Sequence, residues 1–219
     1  MKKSRELELL DAEHIPKEAL YQNLKELKTI NSLLGGHKAV LSGYMNFYAY
    51  ANYKILEIGS GGGDNLGMLK KKFPNNTYAG LDLKEDCISY SKLQDANINW
   101  IQENYKHHTP EKPYDIIFNS LFCHHFSDYE LVEMLVWMNK NSKKGFFIAD
   151  LHRHWLAYYS IKFLTKVFSK SYLVKNDAPL SVKRGFTRSE WEKLLERAGI
   201  QDYSIRWVWA FRYVITVYK

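Results

Sequence analysis

The stretch from Glu57 to Asp64 combines four glycines with two acidic residues around a predicted turn. It reads EIGSGGGD, and its residues Gly59, Gly61 and Gly63 would let the backbone approach a ligand closely. A dinucleotide site would have glycine at the sixth place of the run that begins at Gly59, where this chain has Asp64. Both acids would also repel a pyrophosphate. The turn therefore predicts a nucleotide-like ligand that carries positive charge.

Asp82 ends the second predicted strand, nineteen residues after Gly63. An acid there can accept hydrogen bonds from both hydroxyls of a ribose, which indicates an adenosine-type ligand but suits a dehydrogenase equally. S-adenosylmethionine has no phosphate and carries an ammonium and a sulfonium, so the acidic turn favours it. We expect Glu57 to meet this charge, because an unpaired acid on a buried strand is costly, and we interpret Asp64 as an ordinary helix N-cap.

Four histidines follow two predicted strands: His124 and His125 after the fourth, His152 and His154 after the fifth. Ligands of doubly wound sheets bind beyond these strand ends, and methyl transfer to a hydroxyl needs a base. We favour His152 because it directly follows Asp150 at a strand end, with His125 second. A hydrogen bond to loop backbone is the competing interpretation of His125. No carboxylate or cysteine joins the histidines at recognisable spacing, so we expect no metal site.

The elements that must position these residues follow from the apolar pattern. Beyond Asn52, short apolar runs alternate with helical stretches, which is typical of a parallel sheet wrapped by helices. The predicted strands are 54–58, 77–81, 98–102, 114–119 and 144–150, and the predicted helices are 64–72, 85–96, 128–141 and 187–198. The aromatic runs 203–209 and 211–218 predict an antiparallel hairpin. The expected fold class is α/β, a doubly wound, mostly parallel seven-stranded sheet with an antiparallel last strand.

Two helical additions accompany this predicted sheet. A stripe of apolar residues predicts a helix over 16–34 and a second one to Tyr50, which together form an N-terminal helical cap at 1–51, ahead of a main domain at 52–219. An insertion at about 152–185 would follow the fifth strand. Its segment from Trp155 to Phe168 is rich in aromatic residues and carries Lys162 and Lys166. It could be a lid on an apolar acceptor pocket, an interfacial helix facing anionic lipid, or simple packing on the sheet.

Composition and charge indicate which partners and which cellular compartment to expect for this chain. Its 219 residues are 46% apolar and carry a formal net charge of +7. The basic residues fall in separate clusters, which we interpret as solvated helix faces, so a nucleic-acid partner is not expected. The charged amino terminus lacks the apolar core of a signal peptide, and Cys87 and Cys123 lie within predicted regular elements. We expect a cytoplasmic protein with free, buried thiols.

The sequence resembles the class I S-adenosylmethionine-dependent methyltransferases. ILEIGSGGG is similar to their first motif and GLDL to their second. The resemblance implies a cofactor contact for Glu57, Gly59 and Gly61 at the methionine end and for Asp82 at the ribose. Asn104 stands where the family often has aspartate, and its carbonyl can accept a hydrogen bond from the adenine amino group. The full set of expected cofactor residues is Glu57, Gly59, Ser60, Gly61, Gly63, Asp82, Leu83, Asn104, Tyr105 and Ser120.

Three further runs resemble a bacterial subgroup that is often encoded near type III polyketide synthases. They are INSLLGGHKAV, SLFCHHF and ADLHRHWLAYY. The resemblance implies methylation of a phenolic or polyketide-derived product. We expect transfer to an oxygen, ahead of a carbon, of a small apolar aromatic, phenolic or polyketide-like acceptor, and the aromatic segment adds peripheral membrane contact as an option. The alternatives are a methyltransferase acting on RNA or protein, and a noncatalytic cofactor-binding or membrane-associated partner of a biosynthetic complex. The oligomeric state is left open.

Overall fold

Seven strands form one sheet in the computed structural model, which describes residues 1–12, 14–49 and 52–219. The strands are β1 (Lys54–Ile58), β2 (Thr77–Asp82), β3 (Asn99–Gln102), β4 (Tyr114–Ser120), β5 (Ser142–Leu151), β6 (Tyr203–Val208) and β7 (Arg212–Tyr218). Their order is β3-β2-β1-β4-β5-β7-β6. Strands β1 to β5 are parallel, and β7 is antiparallel to both neighbours, β5 and β6. The predicted fold class and the antiparallel last strand are confirmed.

Helices cover both faces of this sheet. They are α1 (Lys17–Leu33), α2 (Gly36–Tyr44), α3 (Asp64–Lys72), α4 (Glu85–Gln94), α5 (Asp128–Asn141), α6 (Trp155–Phe168), α7 (Tyr172–Arg184) and α8 (Arg188–Arg197). Ser127 and Thr187 form capping boxes with Glu130 and Glu190, so α5 and α8 begin where a side chain satisfies the free backbone N–H groups. The central strands are apolar on both faces because each face packs against helices, as in β1, where Leu56 is fully buried on one side and Ile55 on the other.

The N-terminal region differs in part from its prediction. The first helix matches its predicted bounds within one residue at each end, whereas α2 ends at Tyr44 rather than Tyr50. Tyr50 itself, and the predicted cap boundary at residue 51, lie outside the described residues. A 3-10 turn at Leu9–Asp11 precedes α1, and its Leu9 and Leu10 amides both donate to the Asp177 carboxylate of α7 at 2.9 Å. This contact ties the first residues of the chain to the region after β5.

The predicted insertion between β5 and α8 consists of α6 and α7, which pack against each other. The segment predicted from its aromatic residues is the α6 helix, with the same bounds, and within it only Ala157 and Thr165 are buried. No helix among the described ranges of the chain has both the length and the apolar character needed to span a membrane. Both cysteines, Cys87 and Cys123, are free and buried, as expected.

Candidate active site

The glycine turn after β1 is shaped by backbone that side chains rarely adopt. Gly59, Gly61 and Gly63 have φ angles of +66°, +50° and +72°. A Cβ atom on Gly61 would meet nothing closer than Leu24, at 3.9 Å, because this residue faces open space. The Gly61 amide donates to Asp82 Oδ2 at 2.8 Å. The turn is therefore held against the end of β2 while its backbone stays accessible to a ligand.

Gly63 offers a test of how strictly the turn is built. A Cβ atom there would overlap the Trp100 indole and would also require a left-handed backbone. We expect Gly63→Ala to lower the free energy of unfolding by about 2–4 kcal/mol, measured by urea denaturation. Gly67→Ala is the matched control, because Gly67 lies inside α3 with no atom near its Cβ position. That control should raise stability by about 0.5–1 kcal/mol; an equal loss in both variants would contradict the argument.

Glu57 is 1% exposed and has one carboxylate oxygen without a partner. Its Oε1 accepts a hydrogen bond from Asn65 Nδ2 at 2.8 Å, whereas Oε2 has none. Burial raises the pKa of this carboxyl well above its usual range, and the nearby Asp64 and Asp82 raise it further. A buried orphan acceptor of this kind fits a cationic ligand, since an ammonium would supply both the missing hydrogen bond and the missing charge.

Asp64 corrects one detail of the sequence interpretation. The N-cap of α3 is Gly63, and Asp64 is the first helical residue. Its Oδ2 lies 2.8 Å from His37 Nε2 and accepts a bond from Asn31 Nδ2 at 3.3 Å. Both partners belong to the N-terminal helices, so the Asp64 carboxylate fastens those helices to the glycine turn instead of capping the helix.

A cavity of about 450 Å³ lies above the glycine turn. Of the ten residues expected to bind the cofactor, nine line it: Glu57, Gly59, Ser60, Gly61, Asp82, Leu83, Asn104, Tyr105 and Ser120. Gly63 does not line this cavity; its Cα packs closely against the Trp100 indole. Asn104 Oδ1 already accepts a bond from the Lys106 amide at 3.1 Å, which leaves one lone pair for a ligand. The residues present fit an adenosine-type cofactor with a cationic end.

A second, mostly apolar cavity of about 300 Å³ adjoins the first. Its wall includes the inner side of α6, with Ala157, Ser160, Ile161 and Leu164, and apolar residues of α1. Four residues line both cavities: Leu10, Leu27, Leu121 and His125. The two cavities therefore meet along a common wall that contains an imidazole.

His124 and Asp150 form a buried pair at this wall. His124 Nδ1 lies 2.8 Å from Asp150 Oδ1, and His124 Nε2 lies 3.6 Å from Glu8 Oε1. Burial lowers the pKa of His124, but the Asp150 and Glu8 carboxylates outweigh it, so the pKa lies above its usual value. Burial alone would raise the pKa of Asp150, and the neighbouring imidazole holds it below its usual value. In the sequence, His124 stands out only as one of four histidines after strand ends, 26 residues before Asp150.

The two histidines favoured from the sequence lie in different surroundings. His125 lines both cavities, and its Nδ1 lies 2.7 Å from Asp11 Oδ1. His152 is outside both linings; its Nδ1 accepts a hydrogen bond from the Trp207 indole at 3.2 Å. Burial lowers the pKa of His152, and the adjacent His154 lowers it further. The structure thus brings His125, but not His152, to the wall between the cavities.

Residues from distant parts of the chain complete this wall. Glu8, only 4% exposed, accepts a bond from Ser181 Oγ at 2.8 Å. Arg184 donates from Nε to the His124 carbonyl at 2.9 Å and from Nη1 to Asp11 Oδ2 at 3.0 Å. These contacts join the amino terminus, α7 and the turn after β4. The sequence carries no local signal for them, because the partners are separated by 60 residues or more.

Glu8, His124 and His125 could together hold a divalent cation, since each offers one ligand atom and these atoms lie within 4.8 Å of one another. The Arg184 guanidinium, 4.0 Å from Glu8 Oε1, already supplies positive charge there. The expectation of no metal site rested on sequence spacing, which gives no sign of Glu8 because that residue is far from the two histidines along the chain.

Residues 55–145 match a family described as a methyltransferase domain. The matched stretch runs from β1 into β5 and contains the glycine turn and Asp82. A curated relative, a malonyl-[acyl-carrier protein] O-methyltransferase of Ilyobacter polytropus, is 38% identical over 71 residues, which cover 31% of this chain. That alignment spans about a quarter of the relative's own length, 26%. The match covers the part of the sheet that holds the glycine turn, which is less than half of the chain.

Solved structures with a similar fold include two methyltransferases with a bound ligand. The plantazolicin methyltransferase BpumL in complex with S-adenosylhomocysteine has a TM-score of 0.69 and 19% identity, covering 93% of this chain and 95% of that one. Human N-acetylserotonin methyltransferase with S-adenosylmethionine has a TM-score of 0.68 and 14% identity, covering 93% and 56%. At these identities the likeness shows the fold alone. S-adenosylmethionine, the cofactor predicted from the sequence, is the ligand of the second of these proteins, and its demethylated product is bound in the first.

Proposed function

We propose that this protein transfers a methyl group from S-adenosylmethionine to an oxygen atom of a small apolar acceptor, aromatic or phenolic. The observation that carries the proposal is the common wall of the two cavities, where His125 stands between the cofactor cavity and an apolar one. An in-line displacement requires donor and acceptor side by side. The cofactor supplies an activated methyl group, so the chain has only to bind, align and deprotonate the acceptor.

We assign the proton transfer to His124. With Nδ1 donating to the Asp150 carboxylate, Nε2 is the nitrogen that accepts the proton, and the Glu8 carboxylate 3.6 Å away stabilises the imidazolium that forms. Asp150 is fully buried, and it fixes one tautomer and one orientation of the ring. We assign His125, which lines both cavities, to positioning the acceptor oxygen against the cofactor. His152, the first choice from sequence, has less support because its Nδ1 accepts from Trp207.

The lining of the second cavity supports an uncharged acceptor. Its charged residues are the acids Glu8 and Asp177, which already accept hydrogen bonds within the chain, and the base Arg212; the rest of the lining is mostly apolar. The inner side of α6 contributes apolar residues, which supports the proposal that residues 152–185 act as a lid over the acceptor. A phenolic or polyketide-like acceptor, suggested by the resemblance to the bacterial subgroup, is compatible with this lining.

The alternatives from sequence are less well supported by the site. An apolar cavity of about 300 Å³ suits a small molecule better than an RNA or protein surface. A noncatalytic cofactor-binding protein would have no use for a carboxylate-oriented imidazole beside the acceptor cavity. We therefore keep small-molecule O-methylation as the proposed activity.

The activity can be tested by incubating the protein with S-adenosylmethionine and a panel of acceptors. We expect a mass gain of one methyl group on a long-chain resorcinol or a simple phenol, and none on RNA or a malonyl thioester. The rate should be the same with EDTA in the buffer, because the proposed mechanism uses no metal. Binding of S-adenosylhomocysteine without methylation of any acceptor would instead favour a noncatalytic role.

A further inference from the structure

The helix α6 exposes an apolar side to solvent. Trp155, Tyr159 and Phe163 recur at four-residue spacing, so they share one side of the helix, and their exposed fractions are 60%, 62% and 66%. We define the α6 outer face by its exposed apolar residues, which are Trp155, Leu156, Tyr159, Phe163, Val167 and Phe168. Large exposed apolar patches mark sites that interact with proteins, membranes or ligands.

The exposed charges of the segment around the α6 outer face are of one sign. Residues 151–175 contain no aspartate or glutamate; Lys162, Lys166, Lys170 and Lys175 are exposed, whereas Arg153 is paired with Glu190 at 2.8 Å. Lys162 and Lys166 lie on α6 itself and are exposed. The nearby Glu26 carboxylate is already engaged, since it accepts hydrogen bonds from the backbone amides of residues 170 and 171 and from the hydroxyl of residue 169. An apolar helix side flanked by lysines complements an anionic lipid surface.

The α6 outer face continues onto the hairpin between β6 and β7. The His154 ring stacks on Phe211 with centroids 5.2 Å apart, and Trp209 lies 6.3 Å from the same phenyl ring. Trp209 is 64% exposed and also lines the acceptor cavity, so it lies where that cavity approaches the surface. Exposed tryptophans are typical of the boundary between lipid and water.

The inner side of α6 lines the acceptor cavity, while its outer face is exposed. We propose that the α6 outer face, together with Trp209, docks on the surface of an anionic lipid bilayer. The docked protein then places its acceptor cavity next to the region where amphiphilic molecules partition. This inference rests on the proposed function, and it identifies the acceptor as an amphiphile dissolved in the membrane, such as a phenol with a long alkyl chain.

Docking can be measured by co-sedimentation with phosphatidylcholine vesicles and with an equal mixture of phosphatidylcholine and phosphatidylglycerol. We expect the wild-type protein to bind the mixed vesicles at least about tenfold more tightly. The double variant Phe163→Gln/Val167→Gln should bind both kinds of vesicle at least about tenfold more weakly, because it removes two apolar anchors. Lys162→Gln/Lys166→Gln should lose only the preference for the anionic lipid.

The control variant is Leu93→Gln/Tyr129→Gln, which removes two exposed apolar residues that lie on α4 and α5. It should bind vesicles like the wild type, and thermal melting should show that all variants are folded. Equal vesicle binding by the wild type and the Phe163/Val167 variant would overturn the proposal. So would a concentration-dependent dimer that the same variant dissociates, because the face would then be covered by a second copy of the chain.

The vesicle-binding test uses neither cofactor nor acceptor. A negative result there would therefore contradict membrane docking without contradicting the proposed methyl transfer. The assignment of the acceptor is tested with a long-chain resorcinol dissolved in mixed vesicles and with a water-soluble phenol. We expect the Phe163/Val167 variant to lose at least about tenfold in rate on the first and nothing on the second. Equal loss on both would overturn the assignment, and vesicle binding without any methylation would contradict only the proposed function.

Discussion

Replacing His124 with asparagine should lower kcat by about 10²–10⁴-fold, the usual loss when a general base is removed. The affinity for S-adenosylhomocysteine should stay unchanged, because His124 lines the acceptor cavity and not the cofactor cavity. Steady-state kinetics with the best phenolic acceptor and calorimetry with S-adenosylhomocysteine measure the two quantities. His125→Asn should cost less, about tenfold, since a positioning group leaves the base in place.

The dependence on pH distinguishes proton transfer from simple packing. Because the carboxylates around His124 raise its pKa, the imidazole stays protonated to a higher pH than a free histidine. The rate of the wild-type enzyme should therefore rise with pH through a value above 6.5. Asp150→Asn removes the charge that raises this pKa, so the rising limb should move to lower pH while the maximal rate falls.

His152→Asn is the matched control for His124→Asn and His125→Asn, because His152 lies outside both cavity linings. Its rate and pH profile should be those of the wild type. A large loss in His152→Asn with little effect of His124→Asn would return the role of base to the residue first favoured from the sequence. A larger loss in His125→Asn than in His124→Asn would move that role to the residue on the common wall.

The variant Glu57→Gln should change cofactor affinity and stability in opposite directions. The amide keeps the bond from Asn65 but loses the charge that faces the cofactor ammonium, so the Kd for S-adenosylmethionine should rise by about 10²-fold. Without cofactor, the variant should be more stable at neutral pH. Burial raises the folded-state pKa of Glu57 above its unfolded value, so the wild type loses stability as pH rises through that interval.

Calorimetry with S-adenosylmethionine and denaturant unfolding between pH 4 and pH 8 check the two halves of this prediction. Glu85→Gln is a suitable control, because Glu85 is an exposed glutamate in the first turn of α4. It should leave both the Kd and the free energy of unfolding as they are. Unchanged cofactor affinity in Glu57→Gln would show that its unpartnered oxygen does not face the cationic end of the cofactor.

The sheet and the cofactor cavity were predictable because their signals are local. Alternating apolar runs and helical stripes predicted the fold class, and the turn from Glu57 to Asp64 has its acids and glycines within eight consecutive residues. Thr187 and Glu190 stand at capping-box spacing, so the start of α8 followed directly. In each case the interacting groups are close along the chain, or the parallel topology brings strand ends to one edge.

The wall between the cavities was not predictable in the same way. His125 meets Asp11 across 114 residues, and Glu8 lies in a charged amino terminus that shows no strand or helix periodicity. One signal was available: β4 and β5 are neighbours, so Asp150 at the end of β5 must lie beside the turn after β4. That argument links Asp150 with His124 rather than with the adjacent His152.

The 3-10 turn at Leu9–Asp11 has a thermodynamic consequence. Leu10 lines both cavities, and the turn is fastened to α7 through Asp177. A ligand bound in one cavity restricts the motion of this turn. The ligand of the other cavity then binds with a smaller loss of conformational entropy. The affinities for methyl donor and acceptor are then linked, and linkage requires each ligand to change the other's affinity by the same factor.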